Sequence, residues 1–207
     1  MADSGKFDRD GLLSAFDRIG HAAVAHRTVI DIAVYGGSAL MLASNFRFAT
    51  EDVDMAELRE PWPDWLLDEV RAIAEENGWS PSWLNDAVQF HLSPLADRGA
   101  DHLEFGTFPR DGQSGLRVMV PTLDYMLALK LKAMRINDPA KGPQETADIR
   151  NLLRAGGVKD AEAAIAIMAK YFPKSAREPE AQRFFLRHIW PEKEEGDVAP
   201  GYPVVGR

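Results

Sequence analysis

The sequence predicts an α/β half followed by an all-α half, and three observations carry that expectation. A run rich in β-branched residues at 29–35 ends on Gly36 and Gly37. Two further strand-like runs, 102–108 and 116–120, flank a polar turn that contains Gly112 and Gly115 and read as a hairpin. From Pro121 onward the apolar residues recur at helical spacing. The expected organisation is an α/β lobe at 1–120 with a mixed sheet flanked by helices, a helical lobe at 121–190, and a tail at 191–207. The tail is dense in Pro, Gly and Glu with little to bury, so it is expected to be flexible or to dock on a neighbour.

Each element has its own justification. Leu12, Phe16, Ile19 and Ala23 give residues 10–27 one apolar helical stripe. After the strand at 29–35 and its glycines, 38–44 contains good helix formers behind Ser38, a residue suited to an N-cap. Residues 52–55 read as a short strand. Residues 63–77 carry Leu66, Leu67, Val70, Ile73 and Ala74 on one helical face, with Gly78 where a C-terminal cap belongs. The stretch 79–92 reads as a short helix or loop whose Trp79, Trp83 and Leu84 pack on the core. Four helices follow at 122–136, 144–155, 160–172 and 179–190.

Composition narrows the function classes. The chain has 207 residues, 45% of them hydrophobic and 27% charged, as in a globular protein able to bury a core without staples. It contains no cysteine, which removes disulfides, thiolate zinc sites and cysteine nucleophiles. A net charge of -8 argues against indiscriminate binding to nucleic acid, because phosphate backbones are held mainly by Lys and Arg. The charge is uneven: 51–76 is acidic, whereas 116–154 carries Arg117, Lys130, Lys132, Arg135, Lys141, Arg150 and Arg154. A basic region opposite an acidic metal site would suit a metal-bound triphosphate. No segment approaches the roughly 18 to 20 continuous apolar residues of a membrane span, and no secretory leader is seen, so a cytoplasmic protein without a membrane partner is expected.

The chemistry concentrates at Tyr35-Gly36-Gly37-Ser38 and at Arg47-Phe48-Ala49-Thr50-Glu51-Asp52-Val53-Asp54. In a strand, residues two apart share a face, so Asp52 and Asp54 would present two carboxylates side by side. Their repulsion is relieved by a cation, and hard oxygen ligands suit Mg²⁺ or Mn²⁺. The glycines let backbone approach a phosphate, and Ser38 at a helix start adds a hydroxyl and free N–H groups.

Gly-Gly-Ser, a short spacer, then Arg-x-x-Thr-x-Asp-x-Asp resembles the signature of the nucleotidyltransferase superfamily related to DNA polymerase beta. The nearer likeness is to AbiEii-type toxin nucleotidyltransferases. The resemblance extends through Lys130 in a Leu-Lys-Leu-Lys helix to Asp148 in an Asp-Ile helix, covering about 34–153. It implies a nucleotidyltransferase fold and a nucleoside triphosphate held by Gly36, Gly37, Ser38, Arg47, Thr50, Lys130 and Asp148. It also implies Mg²⁺ or Mn²⁺ on Asp52 and Asp54. The superfamily commonly adds a third carboxylate from a later strand, where Glu104 between Leu103 and Phe105 fits better than Asp101. The reaction implied is attack on the α-phosphate with release of pyrophosphate. The acceptor would be RNA such as tRNA, a protein or a small molecule, and a cognate antitoxin would be a partner.

Two other classes stand beside this one. A non-catalytic nucleotide-binding or partner-binding module of a toxin–antitoxin-like system would keep the scaffold without the transfer. Arg183 and His188 have the Arg-x₄-His spacing of HEPN-type ribonucleases, although five helical residues turn about 140° past one revolution and separate the two side chains. Walker A, G-x-G-x-x-G and G-x-S-x-G patterns are absent, which argues against P-loop ATPases, Rossmann dehydrogenases and common serine hydrolases.

Overall fold

The β-branched run 29–35 becomes the middle of a sheet. In the computed structural model, which describes residues 5–57, 62–134, 141–190 and 201–202, it forms β2 (Ile30–Val34), buried along its whole length. The strand lies between β4 (Val53–Glu57), antiparallel with Val34 opposite Met55, and β7 (Leu116–Pro121), parallel with Ile30 beside Leu116. β5 (Leu84–Asn85) extends one edge, parallel to β4, and β6 (His102–Phe108) closes the other, giving the order β5-β4-β2-β7-β6. A separate two-stranded sheet joins β1 (Phe7–Asp8) to β3 (Ala49–Thr50). The mixed sheet with helices and the helical second half are as the sequence predicts. The two-residue strands β1, β3 and β5 are additions, too short to show any periodicity.

The chain divides into two compact units. The first contains the sheets with α1 (Arg9–Ala25), α2 (Gly36–Ala43) and α3 (Asp64–Asn77), up to Phe90 and again over His102–Val120. Its α1 starts where Asp8 accepts the Gly11 N–H at 2.8 Å, and buries the expected stripe of Leu12, Phe16, Ile19 and Ala23. α3 buries Leu66, Val70, Ile73 and Ala74 and ends on the left-handed Gly78. Trp83 is fully buried, and its indole N–H donates to the Val70 carbonyl at 3.0 Å. The α1 backbone meets the β6–β7 hairpin so closely that a Cβ at Gly20 would strike the Phe108 backbone, and one at Gly115 would strike the Gly20 carbonyl. Bare Cα atoms are therefore required at both positions.

The second unit contains α4 (Leu123–Ala133), α5 (Gly142–Ala155), α6 (Ala161–Tyr171) and α7 (Glu180–Ile189). It also takes in His91–Asp101, a segment the sequence analysis assigns to the α/β lobe. The reason is a polar knot around Ser93 and Asp101. The Ser93 N–H donates to the Tyr125 hydroxyl oxygen at 3.0 Å, and the Ser93 hydroxyl donates to the Tyr171 carbonyl at 2.6 Å. Asp101 accepts from the Tyr171 hydroxyl at 2.7 Å and from the Asp97 N–H at 2.8 Å. Burial opposes ionisation of Asp101, but these donors and the Lys170 ammonium outweigh it and hold the carboxyl below its ordinary value. Of the expected tail at 191–207, all but Gly201 and Tyr202 lies outside the described residues. The Tyr202 phenol donates to the Pro121 carbonyl at 2.8 Å, and burial pushes its pKa up. Among the described residues no helix is long and apolar enough to cross a membrane.

Candidate functional site

The sheet and α2 together build the site. At the end of β2 the Tyr35 N–H donates to the Asp54 carbonyl at 2.8 Å, which carries the β2–β4 pairing up to the turn. The chain then enters α2 through Gly36 in the left-handed region, φ 63°. A Cβ at Gly36 would lie 2.9 Å from Asp54 Oδ2, so the bare glycine is a seat for that carboxylate as well as a turn. A Cβ at Gly37 would lie 2.6 Å from Arg47 Nη1, so the guanidinium rests on this second glycine.

Asp54 lies on β4 and Asp52 immediately before it. Val53 and Met55 are fully buried, Asp54 is half-buried and Asp52 is exposed, as alternation along an extended chain requires. Asp52 is held through its backbone. The Ser38 hydroxyl donates to the Asp52 carbonyl at 2.5 Å and the Thr50 hydroxyl to the same oxygen at 3.1 Å. Ser38 is 1% exposed and Thr50 6%. The Ser38 hydroxyl, expected at the phosphate, here donates to the Asp52 carbonyl. A buried hydroxyl already committed to a carbonyl fixes the aspartate that it touches.

Gly36, Gly37, Ser38, Arg47, Thr50, Asp52 and Asp54 are thus gathered in the first unit. Arg47 also borders a cleft of about 170 Å³ with Arg9 and the exposed Phe48. Arg9 and Phe48 carry no signal in the sequence, because nothing in their spacing connects the start of α1 to the loop before β3.

Glu104 is not brought to the pair. It is exposed on β6, and both β2 and β7 stand between that strand and β4. Three strand spacings separate them by about 14 Å. The alternative, Asp101, is committed to Tyr171 and Lys170 in the second unit. Among the described residues no group of three His, Cys, Asp or Glu is placed to hold a metal. Two hard oxygen donors beside a glycine that leaves space for them fit a divalent ion.

Lys130 and Asp148, expected at the nucleotide, satisfy one another. The Lys130 ammonium donates to Asp148 at 2.8 Å and to both oxygens of Glu145 at 3.0 and 3.1 Å. Lys130 is 7% exposed and Asp148 not at all. A buried lysine and a buried aspartate within one helical unit neutralise each other, and the phosphate-binding role gives way to this ion pair. Other cations of the basic stretch are engaged too. Arg117 forms a two-point contact with Asp31, Lys132 donates to the His91 carbonyl and Arg150 to the Ile189 carbonyl. Arg135 lies outside the described residues. The HEPN-type pair does not assemble, because Arg183 binds Glu162 at 2.8 Å and His188 Nδ1 meets the Phe184 carbonyl at 2.6 Å.

Neither a protein-family model nor a curated protein matches the sequence. Among solved structures the chain is similar to an antigenic nucleotidyltransferase-like protein from Paracoccidioides brasiliensis. That similarity has 14% identity, covers 85% of this chain and 95% of that one, and has a TM-score of 0.46.

Proposed function

We infer that this chain is a metal-dependent nucleotidyltransferase that moves a nucleotidyl group from a nucleoside triphosphate to an acceptor. One observation supports the reading above the others. A glycine turn in the left-handed region seats the Asp54 carboxylate, while two buried hydroxyls fix the backbone of Asp52. Asp52 is exposed and Asp54 half-buried at the start of β4, so a ligand can reach both from solvent.

In this reading Asp52 and Asp54 hold Mg²⁺ or Mn²⁺, whose chemistry there would be to neutralise triphosphate charge and to acidify an attacking hydroxyl. The chain's own residues do the positioning. The Gly36–Gly37 turn admits phosphate oxygens to the N–H groups that open α2, where the helix dipole favours negative charge. Arg47, resting on Gly37, supplies a fixed cation beside that turn. The acceptor that suits the toxin-type resemblance is RNA, tRNA in particular, with a cognate antitoxin as the partner that restrains it.

The test is incubation of the full chain with α-labelled nucleoside triphosphates, Mg²⁺ and total RNA, beside the Asp52→Ala, Asp54→Ala double variant. Label joined to RNA by the wild type alone is the expected result; label transfer that survives the double change removes the site. The position of Glu104, far from the pair, favours a second reading: a module that binds nucleotide without transferring it. Mg²⁺-dependent nucleotide affinity without transfer to RNA, protein or small molecules would select that reading.

A further inference from the structure

A further group brought to Asp54 from another strand would come from one beside β4, and β4 has two neighbours. On β2 the residue level with Asp54 is Tyr35, after which the chain turns at Gly36. On β5 it is Asn85, in parallel register with Asp54. Burial shows which way the pair faces. Val53 and its partner Leu84 are buried, whereas Asp54 and Asn85 are both half-exposed, so the aspartate and the asparagine stand side by side on the open face. The Asn85 Oδ1 accepts the Ala87 N–H at 3.1 Å, an Asx turn that commits the oxygen and leaves Nδ2 as the donor. No described residue accepts from that nitrogen.

We propose that Asn85 stands where a third carboxylate would be needed, and that the site in consequence binds one divalent ion when no nucleotide is present, with the Asn85 amide donating to a phosphate oxygen of the nucleotide. This rests on the assignment of Asp52 and Asp54 given above. Two carboxylates neutralise one divalent ion. A second ion about 3.5 to 4 Å from the first would add two positive charges, and among the described residues no third acid joins the pair to balance them. An amide N–H presents the positive end of its dipole, so it repels a further cation and attracts an anionic oxygen.

The experiment is the stoichiometry of Mn²⁺ on the nucleotide-free full chain, read from the paramagnetic resonance of the free ion. One ion per chain is expected for the wild type, and none at this site for Asp52→Ala, Asp54→Ala. Asn85→Asp keeps an acceptor for the Ala87 N–H, and a second bound ion, or the first held at least about tenfold more tightly, is expected. Asn85→Ala keeps one ion and weakens binding of the Mn²⁺–triphosphate complex by about tenfold. Two ions on the wild type, or an N85D protein with unchanged circular dichroism that binds Mn²⁺ as the wild type does, overturns the proposal while leaving the aspartate pair in place. A wild type that binds no Mn²⁺ through Asp52 and Asp54 removes both. Should N85D fail to fold, the wild-type stoichiometry and the nucleotide affinity of N85A decide the matter.

Discussion

The chain handles its acids in two contrasting ways. Around Asp148, carboxylates and an ammonium are withdrawn from water and satisfy one another: Lys130 bridges Asp148 and Glu145, and the Gln144 amide donates to Asp148 at 3.2 Å. Around Asp52 and Asp54 the side chains stay on an open face and the order is put into the backbone, through a glycine seat and two hydroxyls aimed at one carbonyl. Under the proposed function, the difference separates charge used for folding from charge placed to meet a ligand. Charge used for folding is buried and paired, so its loss should cost stability. Charge held for a ligand is exposed on a rigid support, so its loss should cost binding.

The largest expected effect breaks the first region. Asp148→Ala leaves the Lys130 ammonium buried with half its partners and should lower stability by about 3 to 5 kcal/mol. Asp52→Ala should change it by no more than about 0.5 kcal/mol. Urea denaturation of the two variants checks both values, and equal losses would erase the contrast. Gly36→Ala comes next, with an effect in both quantities. An L-residue at φ 63° costs about 1 to 2 kcal/mol, and the new methyl meets Asp54 Oδ2, so Mg²⁺-dependent nucleotide binding should disappear while the fold survives. Calorimetric titration with nucleotide and a thermal melt read the two effects separately.

A smaller effect sharpens the second region. Ser38→Ala and Thr50→Ala each remove one donor from the Asp52 carbonyl and should cost about 1 kcal/mol. The double variant should cost more than the sum, because the carbonyl then loses both partners; a double-mutant cycle in denaturant measures the coupling. The smallest effect concerns acid. The Asp101 carboxyl is held below its ordinary value in the folded chain, so its stabilisation is complete above the unfolded pKa of about 3.9. It is lost as pH falls from there through the lower folded value. Asp101→Asn should flatten that part of the stability profile and cost stability at neutral pH, where the wild-type carboxylate is ionised; urea denaturation repeated from neutral pH down to about pH 2 measures both.

Much of this was legible in the residues, and the rest was hidden for physical reasons. Long periodic segments gave themselves away: the α1 stripe, the Gly78 cap on α3, and the strand that runs into Gly36 all form as their spacing requires. That Asp54 faces the Gly36 turn was readable because alternation and turn chemistry are local. Glu104 was misplaced because alternation assigns a residue to a face but says nothing about the order of strands. The β6–β7 hairpin joins the sheet through β7, which puts Glu104 on the far edge. Lys130 was misread because a helix pattern cannot show the Asp148 that it will meet on the next helix. Asn85 was invisible for another reason. It belongs to a two-residue strand, and Asn-Asp is ordinary turn composition until register sets it beside Asp54.

The most direct measurement is equilibrium binding of a nucleoside triphosphate to the full chain, with Mg²⁺ and with the metal chelated, for the wild type and for Asp52→Asn with Asp54→Asn. The expected result is affinity in the wild type that needs Mg²⁺, and its loss in the double variant at unchanged melting temperature. Nucleotide bound equally well without the metal, or by the neutralised pair, would contradict the assignment of these two aspartates as the site.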